Sequence, residues 1–159
     1  MTVGEVCNRE VVIAPPDASV LDAVSLMKNH HVGDVIVVED RTARRTPVGI
    51  LTDRDVALAV ADRFTRLPYL RIHEIMSHEL VTAREDENLF AVVKTMQSYG
   101  IRRLPIVNAA GGLEGILTFD DVIALLSEQL NDLARIVTAE QKRERFHAPP
   151  AAPMADVEA

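Results

Sequence analysis

The stretch GILTDRDV, Gly49 to Val56, returns 66 residues later as GILTFDDV, Gly115 to Val122. Each copy has an apolar triplet suited to a buried strand, then a threonine, then an aspartate three residues further on. A chain that leaves a strand for a helix needs partners for the unpaired N–H groups of the first helical turn. Thr52 and Thr118 stand where an N-cap belongs, and Asp55 and Asp121 stand where a side chain reaches back to the cap's own N–H. The same geometry serves a second purpose. A helix N-terminus offers free N–H groups and partial positive charge to a phosphate, and a carboxylate beside it accepts from both hydroxyls of a ribose. On local pattern these residues fit either a helix cap, the commoner use of the loose T-x-x-[DE] motif, or a ribose-phosphate clamp.

Outward from this stretch the repeat holds its step. VVIA (Val11 to Ala14) matches LVTA (Leu80 to Ala83) at an offset of 69, and the same offset joins Asp17 to Asp86, Val20 to Leu89, Val24 to Val93 and Met27 to Met96. The change of offset falls where EDRTARRTPV, Glu39 to Val48, is longer than NAAGGLE, Asn108 to Glu114, and is read as a longer loop. Each copy then reads strand, helix, strand, strand, helix. The runs VIVV (Val35 to Val38) and LPIV (Leu104 to Val107) suit buried strands, with VGIL (Val48 to Leu51) and LEGIL (Leu113 to Leu117) as hairpin partners. Gly111 and Gly112 turn the second hairpin, and Gly100 stops a helix. One helical face is assigned to Val20, Leu21, Val24 and Met27, and its repeat to Leu89, Phe90, Val93 and Met96. Units of about sixty residues bury too little surface to stand comfortably alone, so the two copies are expected to pack on each other.

Composition narrows the function. The chain of 159 residues is 48% hydrophobic with four Phe, two Tyr and no Trp, so an aliphatic core is expected. A net charge of −7 opposes a surface built for nucleic acid, and no apolar run reaches the roughly 18 residues of a membrane span. The opening MTVGEVCNRE lacks the basic start and apolar centre of a signal peptide, which makes the cytoplasm the expected location. The single Cys7 aligns with Met76 and reads as a small buried hydrophobe. His30 and His31 have no Cys or acid at metal spacing and read as surface or capping residues, so no metal is expected. No nucleophile with its base is suggested, and the expectation is that the protein is not an enzyme.

Two in-register copies that each close on G-I-L-T-x-x-D-V resemble a tandem pair of cystathionine beta-synthase (CBS) domains, a Bateman module, over roughly Thr2 to Gln129. The resemblance implies an α+β fold of two pseudo-twofold-related β-α-β-β-α units packed sheet to sheet. Residues 1–69 then hold the first CBS domain and a linker, 70–128 the second, 129–147 a C-terminal helical extension, and the Pro/Ala-rich 148–159 a disordered tail. It implies a regulatory module with two clefts that take an adenosine-containing nucleotide (AMP, ADP or ATP) as a ligand, with no cofactor required. It implies also a homodimer acting on a separate protein partner. Because some similar modules bind nothing known, a ligand-free dimerisation or scaffold protein is the alternative.

Carried over residue by residue, the resemblance gives the ribose to Asp55 and Asp121 and places Thr52 and Thr118 near ribose or phosphate. Val11 and Val12 form the adenine shelf for the cleft of Thr118 and Asp121, and Leu80 and Val81 for that of Thr52 and Asp55. Ahead of the second strand, GIRRLP aligns with HVGDVI, which matches Arg102 and Arg103 with Gly33 and Asp34. In similar modules a basic residue there meets the phosphates; an arginine fork binds them, whereas an aspartate repels them. The clefts are therefore expected to be unequal, with the stronger phosphate site beside Thr118. Two other readings stay open. Arg102 and Arg103 also fit a solvated turn, and Asp34 also fits a pair with Arg54, itself a candidate phosphate ligand. Past the second copy, Leu126, Leu130, Leu133 and Val137 are spaced four, three and four, a narrow apolar stripe that suits either packing on the module or contact with a partner.

Overall fold

Continuous buried apolar runs and hairpin register set the two sheets. In the computed structural model, which describes residues 1–41 and 44–147, β1 (Ile13–Ala14), β2 (Asp34–Arg41) and β3 (Arg44–Thr52) form one sheet in that order. Strands β4 (Ala83–Arg84), β5 (Arg103–Val107) and β6 (Leu113–Thr118) form the other. In each sheet the short opening strand pairs in parallel and the hairpin antiparallel. Helix α1 (Val20–His30) joins β1 to β2, and α3 (Leu89–Tyr99) joins β4 to β5. Helix α2 (Asp53–Arg63) follows β3, and α4 (Phe119–His147) follows β6. The fold is thus the expected α+β pair of β-α-β-β-α units with a C-terminal helix.

Local structure repeats down to its irregularities. Register slips by one residue at Val37/Val38 in one sheet and at Ile106/Val107 in the other, so Val48 and Glu114 bulge at equivalent places. His31 (φ 55°) and Gly100 (φ 62°) end α1 and α3 in the left-handed conformation. The opening strands are shorter than the quoted tetrapeptides. Ile36 N–H donates to Val12 O at 2.9 Å, but the equivalent position in the second copy is Pro105, which has no N–H to donate. Most of the segment read as a long loop is instead hairpin, with Glu39 opposite Thr46 and Asp40 opposite Arg45. Thr42 and Ala43, and the tail expected over 148–159, lie outside the described residues.

The helix faces are rotated from the expectation. Val20, Ala23 and Met27 are buried in α1, and Leu89, Val92 and Met96 in α3, whereas Leu21, Val24 and Phe90 are exposed. At about 100° per residue, Ala23 and Leu21 lie on opposite flanks of the line through Val20 and Met27. The core takes the alanine flank.

The two copies exchange their leading segments. Val3 N–H donates to Glu87 O and Gly4 N–H to Glu85 O, both at 2.9 Å, and Asn8 and Ile116 exchange two backbone hydrogen bonds. The counterparts are Ile72 to Ala18 O, His73 to Pro16 O, and the reciprocal bonds of Ile50 and Ser77. Each bond of the first set maps onto one of the second by the sequence offsets of 69 and 66, which is the pseudo-twofold relation in atomic form. It explains the glycine of the quoted stretch. A Cβ on Gly49 would stand 2.5 Å from Met76 Sδ, and one on Gly115 would stand 2.7 Å from Cys7 Sγ. Cys7 is buried, as expected of a small hydrophobe. Between the sheets, Ile36, Val38 and Ile116 form a buried cluster with Val11, Ile13, Ile50 and Leu113 around it.

Residues 1–122 make one compact unit, and α4 from Ile123 onward belongs to a second. In that second unit, Leu130, Leu133, Ile136 and Val137 are exposed. The helix runs without a break across the boundary expected at 128–129.

Candidate functional site

Each T-x-x-D turn closes on itself. Thr52 N–H and Oγ1–H both donate to Asp55 Oδ2, at 2.8 and 2.7 Å, while Asp55 N–H donates to Thr52 Oγ1 at 3.3 Å. Thr118 and Asp121 repeat the arrangement at 2.9, 2.6 and 3.2 Å. The reciprocal cap read from the sequence is therefore formed in both copies. All of these carboxylate bonds use Oδ2, so each aspartate keeps Oδ1 for a donor from outside the turn. Cap and clamp do not compete for the same atom.

The charged residues ahead of β2 and β5 meet one another. Arg103 Nη1 donates to Asp34 Oδ1 at 2.6 Å, in a pair that is largely shielded from solvent. Strand register puts Asp34 opposite Thr52 and Arg103 opposite Thr118, so the ion pair links the threonines of the two turns. This corrects the expectation of a free arginine in one cleft and a repelling aspartate in the other. Alignment had matched the two residues as equivalents, and equivalent positions close to a twofold axis face each other. It also settles the partner of Asp34, which is not Arg54. Arg54 is exposed, and its backbone N–H donates to Asp53 Oδ1 at 2.8 Å. Burial pushes the Asp34 carboxyl above the usual aspartate range, against the pull of Arg103, and the nearby Asp53 charge adds to the rise.

Beside the pair the copies diverge. A Cβ on Gly33 would lie 3.3 Å from Asp53 Oδ2 and 3.5 Å from Arg103 Nη1, which places Asp53 next to the first copy's end of the pair. The equivalent residues in the second copy are Arg102 and Phe119. The Arg102 guanidinium sits 5.5 Å from the Phe119 ring centre and 3.8 Å from Asp120. Arg102 is the more exposed arginine of the two, in keeping with the solvated-turn reading.

The shelf residues are placed less directly. Val11 packs on the cluster that contains Ile116, two residues before Thr118, and Val12 packs on the first copy's core. Both line a cleft of about 530 Å³ together with Leu26, His30 and Val32; neither Thr118 nor Asp121 lines it. That volume falls in the range of small-ligand pockets. The sequence reads His30 only as a surface or capping residue and does not single out Val32, because nothing in it distinguishes a cleft-lining helix end from a solvated one. Leu80 and Val81 are half-buried, next to β4. Another cavity, at Ile13 to Pro16 and Val38 to Asp40, lies at the strand ends opposite Thr52 and contains no T-x-x-D residue. Among the described residues no group of three metal-ligating side chains occurs, and no helix is long and apolar enough to cross a membrane. Burial pushes the Cys7 thiol up, away from thiolate chemistry.

Comparison with known proteins gives a consistent picture. The family model for the CBS domain matches residues 3–62 and 72–128. The chain is 34% identical over 123 residues to the uncharacterized protein MK0525 of Methanopyrus kandleri, covering 77% of this chain and 61% of that protein. It is 35% identical over 121 residues to the CBS domain-containing protein YhcV of Bacillus subtilis, covering 76% of this chain and 82% of the relative. Among solved structures, the CBS domain pair of protein MJ0100, in complex with 5′-methylthioadenosine and S-adenosyl-L-methionine, superimposes with a TM-score of 0.71 at 26% identity over 81% of this chain and 98% of that one. CBSX2 in complex with AMP gives a TM-score of 0.68 at 26% identity, over 80% and 96%.

Proposed function

Because this chain belongs to the CBS domain family, we propose that it is a regulatory module that binds an adenosine-containing ligand beside its T-x-x-D turns and passes the bound state to a separate protein partner. The observation that carries this reading is the doubled turn in which Asp55 and Asp121 cap a helix through Oδ2 and leave Oδ1 for a ribose hydroxyl. Support comes from two similar CBS pairs, one with 5′-methylthioadenosine and S-adenosyl-L-methionine and one with AMP. Thr52 and Thr118 stand next to the ribose in this reading, and Val11, Val12, Leu80 and Val81 receive the adenine. AMP, ADP and ATP are the first ligands to try. No catalytic role is proposed, and the cytoplasm is the proposed location.

The test is native mass spectrometry of freshly purified protein for a co-purifying nucleoside, followed by thermal melts with AMP, ADP and ATP. A ligand bound only by the folded state raises the melting temperature by mass action. No shift with any adenosine compound at millimolar concentration would favour the ligand-free scaffold, in which Thr52, Asp55, Thr118 and Asp121 are caps alone.

The module is further proposed to work as a homodimer. Leu21, Val24 and Phe90 leave apolar side chains exposed on α1 and α3, and Leu58 does so on α2. Covering such faces with a second copy removes apolar area from water.

A further inference from the structure

We infer that the Asp34–Arg103 pair makes this module select adenosine compounds that carry little negative charge at the 5′ position. The inference rests on the proposed adenosine site and ranks its ligands. Arg103 is tied to both turns, being opposite Thr118 and joined to the residue opposite Thr52. Its charge is already used. The Asp34 carboxylate holds it at 2.6 Å, and a Cβ on Gly33 would lie within 3.5 Å of both the Asp53 carboxylate and Arg103 Nη1.

A phosphate that approached the remaining N–H groups of Arg103 would meet a guanidinium whose charge Asp34 already neutralises, and one that took Nη1 would leave the Asp34 carboxylate without its partner in a place largely shielded from water. Removing one partner of a shielded ion pair is far more costly than never having formed the pair. What remains around the turns does not offset this. Asp53 and Asp55 stand against Arg54 at the first turn, and Asp120 and Asp121 stand against Arg102 at the second. With Asp34 and Arg103 cancelling, each turn keeps one excess negative charge. Arg54 and Arg102 are also exposed, where water weakens their attraction for an anion. The helix N-termini favour one phosphate group, but each already has a carboxylate at its cap. An uncharged or cationic 5′ substituent meets none of these costs, and each added phosphate meets more of them.

The experiment is calorimetric titration of the full chain with adenosine, 5′-methylthioadenosine, AMP and magnesium-free ATP, repeated with Asp34→Asn. The expected order places adenosine and 5′-methylthioadenosine at least about tenfold tighter than ATP, with AMP between. Asp34→Asn, which keeps the shape but removes the charge, should tighten ATP by about tenfold or more and change adenosine less than about twofold. If that variant does not fold, Asp53→Asn should move ATP in the same direction by a smaller factor, because Asp53 is exposed. ATP binding tightest to the wild-type chain, or an order unchanged in the variants, overturns the charge selection while leaving the adenosine site standing. Failure of all four compounds to bind overturns both.

Discussion

Asp34 and Arg103 hold the same place in two copies of one motif, carry opposite charges, and bind each other at 2.6 Å. The difference between the copies at one duplicated position is therefore a joint between them. Two identical residues at that position would have brought like charges together.

The joint should show in the pH dependence of folding. Burial raises the folded-state pKa of Asp34 above its unfolded value, so its ionisation opposes folding as pH rises through that window. The stability of Asp34→Asn relative to wild type should accordingly rise from about pH 4 upward and then level off once Asp34 is ionised in both states. Urea melts of the two proteins between about pH 4 and pH 7 measure the difference. A difference that shrinks with rising pH would mean that the attraction of Arg103 outweighs burial.

At the second turn, Asp121→Ala removes the cap acceptor and should cost about 0.5–2 kcal/mol of stability. Asp121→Asn keeps an oxygen for Thr118 N–H and should cost less. Under the proposed function both variants lose affinity for adenosine compounds, because the ribose hydroxyls then lack a charged acceptor. Melts and titrations on the same samples separate the two effects.

Adding one methyl group tests the exchange of leading segments. Gly115→Ala would put Cβ 2.8 Å from the Asn8 carbonyl oxygen and 2.7 Å from Cys7 Sγ, and should destabilise by about 1–3 kcal/mol, as overpacking does. Gly49→Ala meets chiefly the end of a flexible methionine, with Ser77 O at 3.0 Å, and should cost less. Cys7→Ala placed on Gly115→Ala should recover only part of the loss, because the backbone oxygen stays where it is. Full recovery would show the sulfur to be the whole obstacle.

For the proposed dimer, sedimentation at tens of micromolar is the measurement, and a monomer there would refute it. A chain truncated after Glu128 should still dimerise if α1, α2 and α3 supply the interface. Loss of the dimer on truncation would transfer that role to the stripe at Leu130, Leu133 and Val137.

Much of the fold was readable because duplication writes every constraint twice. The strand-to-helix turn at Thr52 and Thr118, the αL stop at Gly100 and the turn at Gly111 are local, and local chemistry fixes them. The helix faces were read less well, since Ala23 carries little hydrophobic signal and Leu21 carries much, yet packing chose the flank with room for a small residue. The Asp34–Arg103 contact was hidden for a different reason. Alignment superposes equivalent residues, and it gives no sign that a particular equivalent pair lies near the symmetry axis and touches. The same holds for the bonds from Val3 and Gly4 to the far copy, which join residues more than eighty positions apart.

The exchange of leading segments bears on what one half of the chain could be alone. The second sheet is finished by residues near Asn8, and the first by residues near Ser77. A fragment holding only the second repeat, begun at residue 70, would carry the strap meant for the other half and lack its own. Two such fragments could each lend the strap the other needs. Half of this gene should therefore encode an obligate pair, with the covalent tandem as the same pair made permanent by fusion.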